Sequence, residues 1–229
     1  MIFTDAFIDV LSTFNKINPE MYFREGTVQT TMGVNGGKAL TFFSRAYTDV
    51  DITTPFAIKE LGKLLGVLRM FSSPEINIDS QYLTVSGDGK LVKIKLSNPD
   101  HITYNKNPDK IKIEDGYEAV LTPTNINDIL GLYSTFNSEN ISFIGKNGKF
   151  SVVVSSVSPT NPSYDEGIIE LGDTDGEFSA VIRTTDFRLE KNKKQSNYRL
   201  LVNKRGVVFM GNESLEYYIP VDAKLSHFN

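Results

Sequence analysis

The sequence predicts an α+β protein made of two similar domains, each an antiparallel sheet with helices on one face. Three observations predict this. The chain repeats itself: Ser12-Thr13-Phe14-Asn15 returns as Ser134-Thr135-Phe136-Asn137, an offset of 122 residues that Gly26 and Gly148 keep. Turn signals separate short strand patterns into hairpins rather than βαβ units. Finally, 229 residues divide into two domains of roughly 100–120, each long enough to bury its own core.

The elements follow in order. A first helix is expected from Thr4 to about Lys16, with Ala6, Phe7, Val10, Phe14 and Ile17 on one face and Thr4 as N-cap. Val28–Gly33 and Lys38–Phe43 flank Asn35-Gly36, whose residues tolerate the positive φ of a tight hairpin. A second helix is expected after Thr54, with Pro55 at its first position and Leu61, Leu64, Leu65 and Leu68 facing inward. Gly87-Asp88-Gly89 marks another hairpin. Ser97–Tyr117, with two prolines and three asparagines, reads as the connector between the copies. The expected division is residues 1–100, a connector at 101–117, and residues 118–229.

The second copy opens with a helix after Thr122, again followed by proline, burying Ile126, Ile129, Leu130 and Tyr133. Strands at Ile141–Ile144 and Phe150–Val154 flank Asn147-Gly148. Ser155–Tyr164 is a loop, a short fourth helix is expected near Thr185, and Lys204-Arg205-Gly206 marks a last hairpin.

Composition excludes several classes. The chain is 40% hydrophobic and 23% charged, as ordinary globular proteins are. It has no cysteine, so disulfides and thiolate metal sites are impossible. No apolar run approaches the roughly 18 residues of a membrane span, and the first residues lack the basic start of a signal peptide, so a cytoplasm is the expected location. Net charge is −4, shared between halves with 13 basic and 14 acidic residues up to Tyr117 and 11 and 14 beyond it. A DNA-binding role therefore needs a local basic face.

Catalytic patterns fail one by one. His101 and His227 stand 126 residues apart and read as surface side chains. Val34-Asn35-Gly36-Gly37-Lys38 lacks the glycine at Met32 and the hydroxyl at Ala39 that a phosphate loop requires. Asp173-Thr174-Asp175-Gly176-Glu177 lacks the first acid of a calcium loop, since Leu171 stands there. No metal site and no cofactor is expected, and an enzyme is the weaker reading.

What remains is basic charge on helices. Lys59, Lys63 and Gly66 fall on the exposed face of the second helix, with Arg69 at its end; Lys59 and Lys63 stand one turn apart without compensation. Arg188, Lys191, Lys193 and Lys194 follow from the fourth helix, and Lys16 closes the first. Asp49, Asp51, Asp165, Glu166, Asp173 and Asp175 gather in turns and loops. The third helix departs from the pattern, with no Lys or Arg and one Asp128, and Asp5 and Asp9 dilute the first.

The chain resembles the sliding clamps of T-even-type bacteriophages, the DNA polymerase processivity factors. Val34-Asn35-Gly36, Leu64-Leu65-Gly66-Val67-Leu68 and above all Leu171-Gly172-Asp173-Thr174-Asp175-Gly176-Glu177 carry the resemblance, followed by Asn197-Tyr198-Arg199-Leu200-Leu201 and the tail Ser226-His227-Phe228. It extends over nearly the whole length. It implies a homotrimeric ring of six similar domains with helices lining the hole. Duplex DNA passes through unread, a DNA polymerase is tethered, and an ATP-driven clamp loader opens the ring, in the cytoplasm of an infected bacterial host. By that resemblance Lys16, Lys59, Lys63, Arg69, Arg188, Lys191, Lys193 and Lys194 face the DNA. Val34, Ile111, Ile113, Tyr117, Val221 and Phe228 are candidates for an apolar pocket that takes partner peptides. The alternative is a non-enzymatic viral structural or assembly protein built from a duplicated α+β domain.

Overall fold

The computed structural model describes residues 1–34, 40–111, 113, 115–156, 165–189 and 196–229. The Asn35-Gly36 turn, the glycines beside Lys38, most of the Ser155–Tyr164 loop and Lys191, Lys193 and Lys194 lie outside the described residues. The chain divides into two units, Met1–Ile111 with Glu213–Leu215 and Lys112–Asn212 with Glu216–Asn229.

In the first unit, α1 (Asp5–Ile17) begins at Thr4, whose hydroxyl oxygen accepts the Phe7 N–H at 3.1 Å. Phe7, Leu11 and Phe14 are its buried residues; Ala6 is exposed and Val10 and Ile17 are half-buried, so the inward stripe lies slightly round from the predicted one. Strands β1 (Met21–Phe23), β2 (Gly26–Val34), β3 (Leu40–Ile52) and β4 (Phe56–Ile58) follow. β2 pairs with β3 and β1 with β4, all antiparallel. After α2 (Leu61–Leu68), strands β5 (Glu75–Ile78), β6 (Tyr82–Gly87) and β7 (Lys90–Lys95) form a three-stranded meander.

The second helix is shorter than the sequence predicts. Phe56-Ala57-Ile58 is a buried strand, and α2 starts only at Leu61, after Glu60. The reason is tertiary: Phe56 stacks on Phe23 at 4.2 Å, and the strand supplies hydrogen-bond partners to β1. Pro55 tolerates the entry to a strand as readily as the first turn of a helix. Leu61, Leu64, Leu65 and Leu68 are all buried as expected, and α2 packs with α1 into one core with Phe7, Leu11 and Phe14.

The second unit repeats the plan. β8 (Tyr117–Leu121) leads to α3 (Pro123–Phe136), whose N-cap Thr122 and Asn125 form a reciprocal capping box. Ile126 and Ile129 are buried; Leu130 and Tyr133 are only half-buried. β9 (Asn140–Lys146) and β10 (Lys149–Ser155) are joined through Asn147 (φ 52°) and Gly148 (φ 79°), as the sequence predicts. β11 (Glu166–Asp173) and β12 (Phe178–Arg183) complete the strand order β11-β10-β9-β12, with the short β16 (His227–Phe228) beside β12. β13 (Tyr198–Asn203), β14 (Val207–Gly211) and β15 (Leu215–Pro220) form a meander flanked by β8.

Element for element the units match: helix, four strands, a helical turn, three strands. The capping threonines Thr4 and Thr122 stand 118 apart, however, so the Ser-Thr-Phe-Asn tetrads sit one turn out of phase within equivalent helices. Where the first unit has α2, the second has only a 3-10 turn at Thr184–Asp186. The expected fourth helix is absent from the described residues. Phe187 and Leu189 are buried with half-exposed Arg188 between them, an alternation that suits extended chain.

Candidate functional site

The helices present a nearly neutral outer surface. α1 exposes Asp5, Asp9 and Lys16; α2 exposes Gly62, Lys63 and Gly66, with Arg69 at its C-cap; α3 exposes Asp128 and no cation. A Cβ on Gly62 would lie 3.5 Å from the Asn15 amide, so the end of α1 abuts the start of α2. Lys16 and Lys63, next along the chain from those two residues, are exposed on this helix pair.

Three expectations change here. Lys59 sits in the turn before α2, not on it, so it shares no helical stripe with Lys63. Lys63 is compensated, with its ammonium 3.8 Å from the Glu60 carboxylate. Basic residues do not gather on helices, since three of them, Lys90, Lys93 and Lys95, lie on β7. Arg188 lies on extended chain, and Lys191, Lys193 and Lys194 lie outside the described residues.

The six pocket candidates divide between the units. Val34, at the end of β2, and Ile111 belong to the first; Ile113, Tyr117, Val221 and Phe228 belong to the second. All six are half-buried. Tyr117 stacks face to face on Phe178 at 4.2 Å, and Phe178 pairs in register with Phe228. The Lys204 ammonium stands 5.5 Å from the other partner-free side of this cluster, over the Tyr117 ring. Val221 donates its backbone N–H to the Gly206 carbonyl at 3.0 Å.

A set of residues that sequence reasoning missed holds the stretch before Ile111. The Asn18 amide donates to the carbonyls of Met32 (3.1 Å) and Thr103 (3.0 Å), and the Glu20 carboxylate accepts the Thr103 N–H at 2.8 Å. Tyr22 stacks on Tyr104 at 4.5 Å, and the Arg24 guanidinium donates to the Asn105 carbonyl. Arg45, almost fully buried, donates to the carbonyls of Pro108 (2.9 Å) and Ile111 (3.2 Å). Asn18, Glu20, Tyr22 and Arg24 alternate along the chain while Met21 and Phe23 are buried. That two-residue period was a legible signal. Beside it lies a cleft of about 360 Å³ lined by Tyr22, Arg24, Val28, Thr30, Pro55 and Pro108, none of them a predicted pocket residue.

Acid–base chemistry is confined to surface pairs. Arg199 forks onto both Glu118 oxygens at 2.8 and 3.0 Å, which holds the Glu118 carboxyl below its ordinary range and raises the guanidinium. Lys149 binds Asp173 at 2.8 Å, lowering that carboxyl and raising the amine. The first acid of the calcium-like turn is thus engaged by a lysine. Among the described residues no three His, Cys, Asp or Glu side chains gather as a metal site. No helix is long and apolar enough to cross a membrane.

The architecture has known counterparts, although no family model matches the chain. Over 226 residues, 94% of this chain and 96% of the relative, it is 24% identical to the sliding clamp of Vibrio phage KVP40. This is the sliding-clamp fold. Among solved structures, DNA polymerase III subunit beta from Borrelia burgdorferi superposes with a TM-score of 0.73 at 12% identity, over 95% of this chain and 61% of that one. PCNA from Thermococcus kodakaraensis superposes at 0.67 and 11% identity, over 97% and 99%. The chain thus spans about three fifths of that bacterial clamp's length and nearly all of this PCNA. A Helicobacter pylori beta clamp bound to a DNA ligase peptide matches with a TM-score of 0.63 at 10% identity, over 96% of this chain and 65% of that one.

Proposed function

We propose that this chain is a sliding clamp, which encircles duplex DNA and tethers a replicative DNA polymerase for processive synthesis. The observation that carries this reading is the end-to-end match to a phage clamp, spanning both units of a duplicated fold. Three copies form a ring of six domains, and an ATP-dependent loader opens it. The chain works without catalysis or cofactor, in the cytoplasm of an infected bacterial host. The units Met1–Ile111 and Lys112–Asn212 supply the two clamp domains.

The helix charges suit this role. A protein that holds DNA by phosphate contacts loses affinity steeply with salt, with a log–log slope of about −0.9 per phosphate neutralised. Enclosure removes the need for such contacts, and near-neutral helices keep friction low. Lys16, Lys63 and Arg69 provide weak attraction on the first unit, joined by Lys59, Arg188, Lys191, Lys193 and Lys194 where these face the duplex. The uncharged α3 leaves the first unit with the larger share. A partner peptide docks near Tyr117 and Phe228, by analogy with the Helicobacter clamp and its ligase peptide. Tethering raises the polymerase's local concentration at the primer end, so that dissociation is followed by rapid rebinding.

Retention tests the reading. Loaded with ATP and a clamp loader, the protein stays on closed circular DNA through a high-salt gel filtration and runs off when the circle is cut. Equal retention on linear DNA, or none on circles, refutes it. Replacing Lys63 and Arg69 by glutamate lowers polymerase stimulation; unchanged stimulation removes those two residues from the DNA-facing set.

A further inference from the structure

Two sheet edges remain open among the described residues, and they are opposites. In the meander of the first unit, β5 is bridged by Ile2, whereas β7 has β6 as its only strand neighbour. In the second unit's sheet, β11 has β10 as its only strand neighbour. β7 reads Lys90-Leu91-Val92-Lys93-Ile94-Lys95, with three lysines and no acid. β11 reads Glu166-Gly167-Ile168-Ile169-Glu170-Leu171-Gly172-Asp173, with three acids and no base. On the face away from the core, β7 exposes Leu91, Lys93 and Lys95, and β11 exposes Glu166, Ile168 and Glu170. Leu91 and Ile168 are each 61% exposed, a large aliphatic side chain at the centre of each edge.

Lysines on an open edge guard against unwanted pairing, and by themselves they need no partner. Two edges of opposite sign, each with an exposed aliphatic centre, do more than guard. A two-fold β7–β7 contact sets lysine against lysine, and a β11–β11 contact sets glutamate against glutamate; like charges across a strand pair repel. An antiparallel β7–β11 contact is the combination that attracts. One register places Leu91 opposite Ile168 and Lys93 opposite Glu166, and a two-residue slip places Lys93 opposite Glu170. No register brings like charges face to face, because neither strand carries both signs.

We propose that β7 of one copy pairs with β11 of a second copy, so that the chain assembles head to tail and excludes two-fold dimers. A heterologous contact of this kind propagates until it closes into a ring. The closure of that ring around DNA rests on the clamp reading; the strand pairing stands on the two edges themselves. Because opposite charges select the contact, it weakens as salt rises.

The chain has no cysteine, which makes a cross-linking test clean. The variant carrying both Leu91→Cys and Ile168→Cys, treated with a short flexible bis-maleimide, yields covalent multimers on a denaturing gel. Either single variant stays monomeric. Self-linking by a single variant, or no multimers from the double variant between about 1 and 100 μM, overturns the proposal. Charge exchange checks it separately: Lys93→Glu and Glu166→Lys each weaken assembly about tenfold or more by light scattering, and combining them in one chain restores most of it. Equal assembly in all three variants also overturns it. If the pairing fails while the wild type remains trapped on circular DNA, the clamp reading survives without this interface. If the cross-links form and circular DNA is never retained, the clamp reading fails alone.

Discussion

Gly176 lies within the stretch that most strongly resembles phage clamps, and the structure says why a side chain is not tolerated there. A Cβ on Gly176 would intrude on the Tyr117 ring, lying 2.5 Å from its Cδ1 and Cζ. That ring cannot withdraw freely. It stacks on Phe178 with planes 6° apart, and Phe178 in turn meets Phe150 edge-on at 5.1 Å within the core. Gly176→Ala therefore forces overpacking, about 1–3 kcal/mol, plus part of an aromatic pair worth about 0.5–1.5 kcal/mol. A total of about 2–4 kcal/mol moves a urea midpoint by roughly 1–2 M at a typical slope of about 2 kcal/mol/M. With no tryptophan and ten tyrosines, tyrosine fluorescence and circular dichroism are the probes. The same substitution in a Tyr117→Ala background costs less than about 1 kcal/mol, since the obstructing ring is gone. Equal costs in both backgrounds refute this account of the turn. They would also free Tyr117 from its structural duty and strengthen its claim as a peptide contact.

Two further outcomes are expected. Thr122→Ala removes the capping box of α3 and lowers stability by about 1 kcal/mol, whereas Thr54→Ala, in the bend before β4, changes it by less than about 0.5 kcal/mol. Equal losses in urea unfolding would return Thr54 to a helix cap. For Glu118, whose carboxyl is held low by Arg199, the ion pair contributes above the ordinary carboxylate range and is lost as pH falls through the lowered value. Both partners are about half exposed, so Glu118→Gln costs only a few tenths of a kcal/mol near pH 7 and nothing near pH 2. A cost that grows on acidification contradicts the pairing.

Local signals were read where local physics decides. Thr4 and Thr122 cap helices because a threonine oxygen can satisfy an amide three residues on, whatever the rest of the chain does. Asn147-Gly148 forms its turn because both residues accept positive φ. The leucines of α2 faced inward as their spacing required. The same rules misplaced the start of α2, because Phe56 and Ile58 gain more from pairing with β1 and packing on Phe23 than from one more helical turn. They also placed a helix near Thr185, where buried Phe187 and Leu189 impose an extended alternation.

The candidate site divides in the same way. Sequence alone determined that the fold is duplicated, that cysteine chemistry is excluded, and that no motif for catalysis is present. Which lysines share a surface was beyond it. Lys59 left the helix with the strand it follows, Lys63 met Glu60, and three lysines lined up on an edge that exists only once β5, β6 and β7 have paired. The holding of Thr103–Ile111 by Asn18, Glu20, Tyr22, Arg24 and Arg45 likewise joins groups dozens of residues apart. Capping and turn formation depend on neighbours a few bonds away, and the chain carries them in its order. Strand pairing and charge juxtaposition depend on which surfaces hydrophobic burial brings together, and only the folded chain decides that.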